Sequence, residues 1–348
     1  MTPESPRRSA LSAVLHALFY VFIFFSCQYF VTAGYVMSLM SGSAVTSMLD
    51  ETVLLQLLEQ TVAQTVKISL ISNLLTILII CLLQTVRMRR PMEEFRIRPV
   101  NLMRIPTFLA FGVSLNVFVS GTLSFLPMPD SIVDAFENQY SALYGDTPVW
   151  LAIFSIAIVT GIAEELIFRG LVNSRLSRAL PPRTVILVSS IIFGLAHGAM
   201  IAVVYSALIG MIFCLLYEKF RSVVPSILAH VAFNATSYLI AELDDRFFLP
   251  LYLFSIAALL YCTYRLFFRR PTFYDVAADM VGEYPLRDNV EREIIGEIRR
   301  MQEDGDISPE ALERLAEAWE ENEKKYDRSP AANPENDDSD NDNNTKEN

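Results

Sequence analysis

Long apolar stretches separated by short charged ones dominate the chain, near residues 11–33, 66–86, 104–125, 148–171, 184–198, 199–217, 222–241 and 247–268. About 18 or more apolar residues in a helix cross roughly 30 Å of hydrocarbon, and a helix satisfies its backbone N–H and C=O groups within its own length. The pattern predicts an all-α, polytopic membrane protein with about eight transmembrane helices, the fifth short and parted from the sixth at Gly198. After the first span, Leu54, Leu55, Leu57 and Leu58 predict an amphipathic helix lying on the outer surface.

The polar positions between these runs alternate in sign. Arg7 and Arg8 precede the first span, and Arg87, Arg89, Arg90, Arg96, Arg98 and Arg104 fill the connection after the second. Arg175, Arg178 and Arg183 follow the fourth, Lys219 and Arg221 the sixth, and Arg265, Arg269 and Arg270 the eighth. The intervening connections carry Asp50, Glu51 and Glu59, then Asp130, Asp134 and Glu137, then Asp244 and Asp245. By the positive-inside rule both termini are cytoplasmic, in a multi-pass protein of a prokaryotic plasma membrane.

Composition changes this picture little. The chain is 52% hydrophobic and 19% charged, and its formal charge of −11 comes mostly from the tail. Cys27, Cys81, Cys214 and Cys262 stand singly in apolar spans, which offers neither a disulfide framework nor a zinc knuckle. The expected organisation is an N-terminal region of two spans (1–103), a membrane core (104–270), a charged helical cytoplasmic tail (271–326) and a disordered acidic end (327–348). Ser308-Pro309-Glu310 is a good helix start, with Leu312, Leu315, Ala316 and Trp319 on one face. Membrane lipid is an expected partner, and nothing points to nucleic acid.

Ionisable groups are costly inside a bilayer, so those within spans are candidates for function. The fourth span carries Glu164, Glu165 and Arg169 in apolar sequence, the fifth Phe193 and His197, and the seventh His230 and Asn234. Glu165 and Arg169 are four apart and can pair on a helix, which leaves Glu164 about 100° round the helix for chemistry. Burial makes a carboxylate a competent base for water. His197 could orient the same water, while His230 and Asn234 could donate hydrogen bonds to an oxyanion. The same residues admit a second mechanism, in which Glu164, His197 and His230 hold Zn²⁺ with water in the open position. The reading favours no cofactor and leaves zinc open.

Glu164-Glu165 with Arg169, Phe193 with His197, and His230 with Asn234 resemble, in order, the EExxxR, FxxxH and HxxxN motifs of the CPBP family, over roughly residues 104–241. That family comprises the CAAX prenyl-protein endopeptidases and the bacterial Abi proteins similar to them. The resemblance implies an eight-helix core and an intramembrane endopeptidase acting on a peptide or lipidated protein, with its site open towards the cytoplasm. It implies Glu164 as water-activating base beside His197, His230 and Asn234 as oxyanion site, and Glu165 and Arg169 as support.

Blander readings compete. Taken singly, the Glu165–Arg169 pair is an ion pair that helps fold a span, each histidine is an interhelical contact, and Phe193 is packing. His16 has no assigned role. Two other classes compete with a peptidase: an immunity or scaffold protein of the same family, and a proton-coupled transporter with a Glu/His relay.

Overall fold

A computed structural model of the 348-residue chain describes residues 6–42, 51–87, 89, 91–134, 147–197, 200–240, 243–269, 298, 305, 307–310, 313, 314 and 317. The described residues are helical without strands, and the protein is an all-α polytopic membrane protein. Two compact units divide the chain, Met1–Arg269 and Arg270–Asn348.

In the first unit α1 spans Pro6–Gly42, α2 Glu51–Ala63, α3 Thr65–Val86, α4 Pro91–Glu94 and α5 Ile105–Phe125. The long helix Val149–Leu176 is α6. Then follow α7 at Pro182–Leu195, α8 at Met200–Phe220, α9 at Val224–Ile240 and α10 at Asp245–Thr263, the last prolonged by π-helical Tyr264–Phe268. Six of these helices are long and apolar enough to cross a membrane; α7 and α9 are apolar but shorter. All eight expected spans are therefore helices. The expected amphipathic segment is the helix α2, with Leu54, Leu55 and Leu58 exposed.

The outward faces carry the large apolar residues that lipid tolerates, such as Phe22, Phe30, Leu78 and Phe254. The interior is more polar: Ser72, Asn73, Thr76, Glu165, Arg169 and Ser226 are among its buried residues. Close helix packing needs small residues. At Gly112 a side chain would collide with the Ala229 carbonyl, so this glycine lets α5 and α9, a heavily packed pair, approach backbone to backbone.

Helix α6 is the central and most buried span. It is π-helical over Ile153–Thr160 and Leu166–Asn173, with one α-helical stretch, Gly161–Glu165, between them. Wide π turns often accompany functional sites, and here they flank both glutamates. Helix α9 begins after Ser222, whose Oγ accepts from the Val224 N–H and donates to the Arg98 carbonyl, pinning the arginine-rich connection to the bundle.

In the second unit Pro309 and Glu310 are helical, as the Ser308-Pro309-Glu310 pattern predicts. Leu312, Leu315, Ala316 and Trp319 lie outside the described residues, as does the stretch 327–348.

Candidate active site

Glu164, Phe193, His197, His230 and Asn234, drawn from four separate helices and turns, line one cavity of about 270 Å³. Glu165 and Arg169 lie behind its wall, almost wholly buried. All seven candidate residues thus meet in one region.

Glu165 is the hub of the rear layer. Its Oε1 accepts from Arg169 at 2.8 Å and from His230 Nδ1 at 2.8 Å. Because a carboxylate only accepts, the His230 proton sits on Nδ1, and Nε2 is turned to Glu164, 3.8 Å from its Oε2. Spacing alone could not show this link between helices. Arg169 also donates to the Gly210 carbonyl at 2.9 Å, with the Phe193 ring 4.3 Å and the Phe213 ring 5.7 Å from its guanidinium carbon. Gly210 makes room, since a Cβ there would stand 2.8 Å from the Phe193 ring. Carboxylate, carbonyl and aromatic faces together compensate a cation held out of water.

Phe193 also stacks obliquely on His197, with centroids 4.7 Å apart. The Phe193 carbonyl accepts from His197 Nδ1 at 2.8 Å, which puts a proton on Nδ1. Asn234 donates through Nδ2 to the Ile156 carbonyl at 3.3 Å. An amide nitrogen has two N–H bonds, and this contact uses one.

Polar residues outside the motifs extend the wall. Asn73 donates to Ser69 Oγ at 3.1 Å and to Thr160 Oγ1 at 3.0 Å, and Gln28 and Ser72 join the same network. Asn116 donates to Ser237 at 2.7 Å while its buried Oδ1 has no partner among the described residues. Sequence reading weighted ionisable groups and passed over these amides. Gln28, Asn73 and Asn116, mid-span in apolar sequence, were the available signal.

The cavity occupies one half of the bundle. Ser69 lies near the start of α3, Ser120 and Leu123 near the end of α5, Ile156 and Thr160 in the first half of α6, Tyr205 early in α8 and Tyr238 late in α9. Along their helices these positions lie away from the ends that carry Arg87, Arg104, Arg175 and Arg221, and all but Tyr205 lie towards ends joined to acidic connections. Helix α7 helps form the recess. Its 14 residues rise roughly 21 Å, short of about 30 Å of hydrocarbon.

Among the described residues no group of three or more His, Cys, Asp or Glu side chains is placed to hold a metal ion.

Residues 146–236 match the family model described as type II CAAX prenyl endopeptidase, Rce1-like. This segment is similar to that family. It contains all seven candidate residues and is narrower than the 104–241 read from the motifs, covering about a quarter of the chain. The match falls on the same three motifs, Glu164-Glu165 with Arg169, Phe193 with His197 and His230 with Asn234, that resemble those of the CAAX-type proteases. No curated protein matches, and no solved structure matches.

Proposed function

We propose that this Rce1-like protein is an intramembrane endopeptidase that hydrolyses a peptide bond of a lipidated or membrane-associated peptide or protein, with Glu164 as general base. The observation that carries this reading is that Glu164 and His230 Nε2 stand 3.8 Å apart on the wall of one cavity, with His230 itself held by the Glu165–Arg169 pair.

A water beside Glu164 loses a proton to the carboxylate as its oxygen attacks the scissile carbonyl, and His197 Nε2 helps hold that water. The oxyanion meets the second N–H of Asn234, and His230 from Nε2 when that nitrogen carries a proton. Collapse of the intermediate passes the proton from Glu164 to the leaving amine, which restores the carboxylate. Glu165 and Arg169 act through His230 by fixing its ring. No cofactor enters the scheme.

Purified protein and the variant Glu164→Gln, given a library of lipidated and membrane-spanning peptides, test the reading. Cleavage by the wild type and a loss of about a thousandfold in the variant are expected. Unchanged cleavage in the variant would remove Glu164 from the chemistry.

The side of entry follows from the cavity's place at the acidic end. With arginine-rich connections in the cytoplasm, substrate enters from the opposite face of the membrane, whereas the family resemblance implies a cytoplasmic opening; the two expectations exclude each other. With Cys27, Cys81, Cys214 and Cys262 replaced, Leu123→Cys on the cavity wall is expected to react with a membrane-impermeant thiol reagent added to intact cells. Reaction only in inverted vesicles would show a cytoplasmic opening.

A further inference from the structure

At the other end of the same bundle, Arg87, Arg89, Arg175 and Arg178 line a second cavity of about 580 Å³, together with His16 and Ser12. They come from the end of α3, the segment after it, the end of α6 and the start of α1, which places the cavity where three spans leave the membrane. We infer that this pocket binds the phosphate group of an anionic phospholipid.

Charge is the first argument. No carboxylate lines the cavity among the described residues, and Glu94 reaches two of its arginines from outside the lining, 2.5 Å from Arg89 and 2.6 Å from Arg175. Four guanidiniums on the lining, with no carboxylate among the lining residues, leave a positive excess that a phosphate would neutralise. Desolvation first, and then the charge of Arg175, hold the Arg178 pKa below its ordinary value, with Glu94 acting in the opposite sense. An added anion would relieve that crowding.

Incomplete satisfaction is the second argument. Arg175 is only 5% exposed, yet its Nε, shut off from solvent, has no hydrogen-bond partner among the described residues. A buried donor left unpaired is costly, and phosphate oxygens accept from guanidinium forks in the geometry such donors present. Glu94 takes one end of this fork, Nη2.

Surroundings select the source of the phosphate. Leu11, Leu15 and Leu18 of α1 and Leu82 and Val86 of α3 stand exposed beside the pocket. An apolar track next to a basic pocket at the level where spans end suits acyl chains below a head group, and basic pockets between spans are known to hold anionic lipid. A soluble phosphate ester would make no use of the leucines. His16, which the sequence left without a role, sits on this wall.

The test uses the full chain purified in detergent, with thermal unfolding and native mass spectrometry as readouts. Phosphatidylglycerol, phosphatidylcholine and inorganic phosphate are the three probes. The double variant Arg87→Gln/Arg178→Gln removes two exposed arginines that take no part in the Glu94 pairs, and its unfolding temperature without lipid should fall only slightly, by loss of the Arg87 bond to the Tyr20 hydroxyl. Phosphatidylglycerol is expected to be retained and to raise the unfolding temperature where phosphatidylcholine and inorganic phosphate do not. Its affinity should fall roughly thirtyfold in the variant, with most of it kept by Arg87→Lys/Arg178→Lys. Protection by inorganic phosphate equal to that by the lipid would overturn the phospholipid as occupant. Equal retention of both lipids, or retention unchanged in the double variant, would overturn the site.

Discussion

Arg169 and Arg175 lie on one helix, 1% and 5% exposed, yet they sit in opposite electrostatic settings. Arg169 is enclosed by Glu165, the Gly210 carbonyl and two phenylalanine rings, with a histidine sharing the same carboxylate. Arg175, roughly 9 Å further along at 1.5 Å per residue, shares Glu94 with Arg89 and faces two more arginines. A neutralised buried ion pair serves geometry, since it can fix a ring without adding field to the cavity. An under-neutralised one serves binding, because only an outside anion completes it.

The comparison breaks first where the energies are largest. Arg169→Leu leaves Glu165 as a lone buried charge and is expected to cost about 3–5 kcal/mol in denaturant unfolding in detergent. Arg175→Leu should cost far less, because Glu94 keeps Arg89. Equal losses would erase the distinction.

On the cavity side, Asn234→Ala should lower kcat about a hundredfold with KM little changed, as removal of one oxyanion donor does. An effect confined to KM would make Asn234 a substrate contact instead. The smallest expected effect is at the rim: Ser69→Ala removes one hydroxyl from the network around Thr160 and should cost about 1 kcal/mol of stability. A loss as large as that of Arg169→Leu would mean that this network, and not the ion pair, anchors α6.

The helices were legible in the sequence because lipid leaves so few options. A run such as 66–86 returned as Thr65–Val86 and 104–125 as Ile105–Phe125, with boundaries a residue apart. Helix α1 ran well past the expected 11–33, to Pro6–Gly42, since no proline follows residue 33 within it and the single Gly34 is tolerated inside the helix. The convergence of Glu164, His197, His230 and Asn234 was legible too, from the cost of isolated polar groups in apolar spans. The bond from His230 to Glu165 was not, because interhelical partners leave no mark in spacing. Nor were the π turns of α6, whose apolar sequence Ile153–Thr160 suits an ordinary helix equally well. The arginine pocket was visible only as loop charge, because Arg87 and Arg175 are far apart in sequence and only the packing of α1, α3 and α6 joins them.

The measurement that bears most directly on the account is a single turnover in ¹⁸O-labelled water with a cleavable peptide, followed by mass spectrometry of product and protein. Water activated by Glu164 places the label in the new peptide carboxylate in the first turnover and leaves the protein unlabelled. An unlabelled first product, with ¹⁸O appearing in the Glu164 side chain, would mean that the glutamate attacks as a nucleophile and would contradict the general-base role.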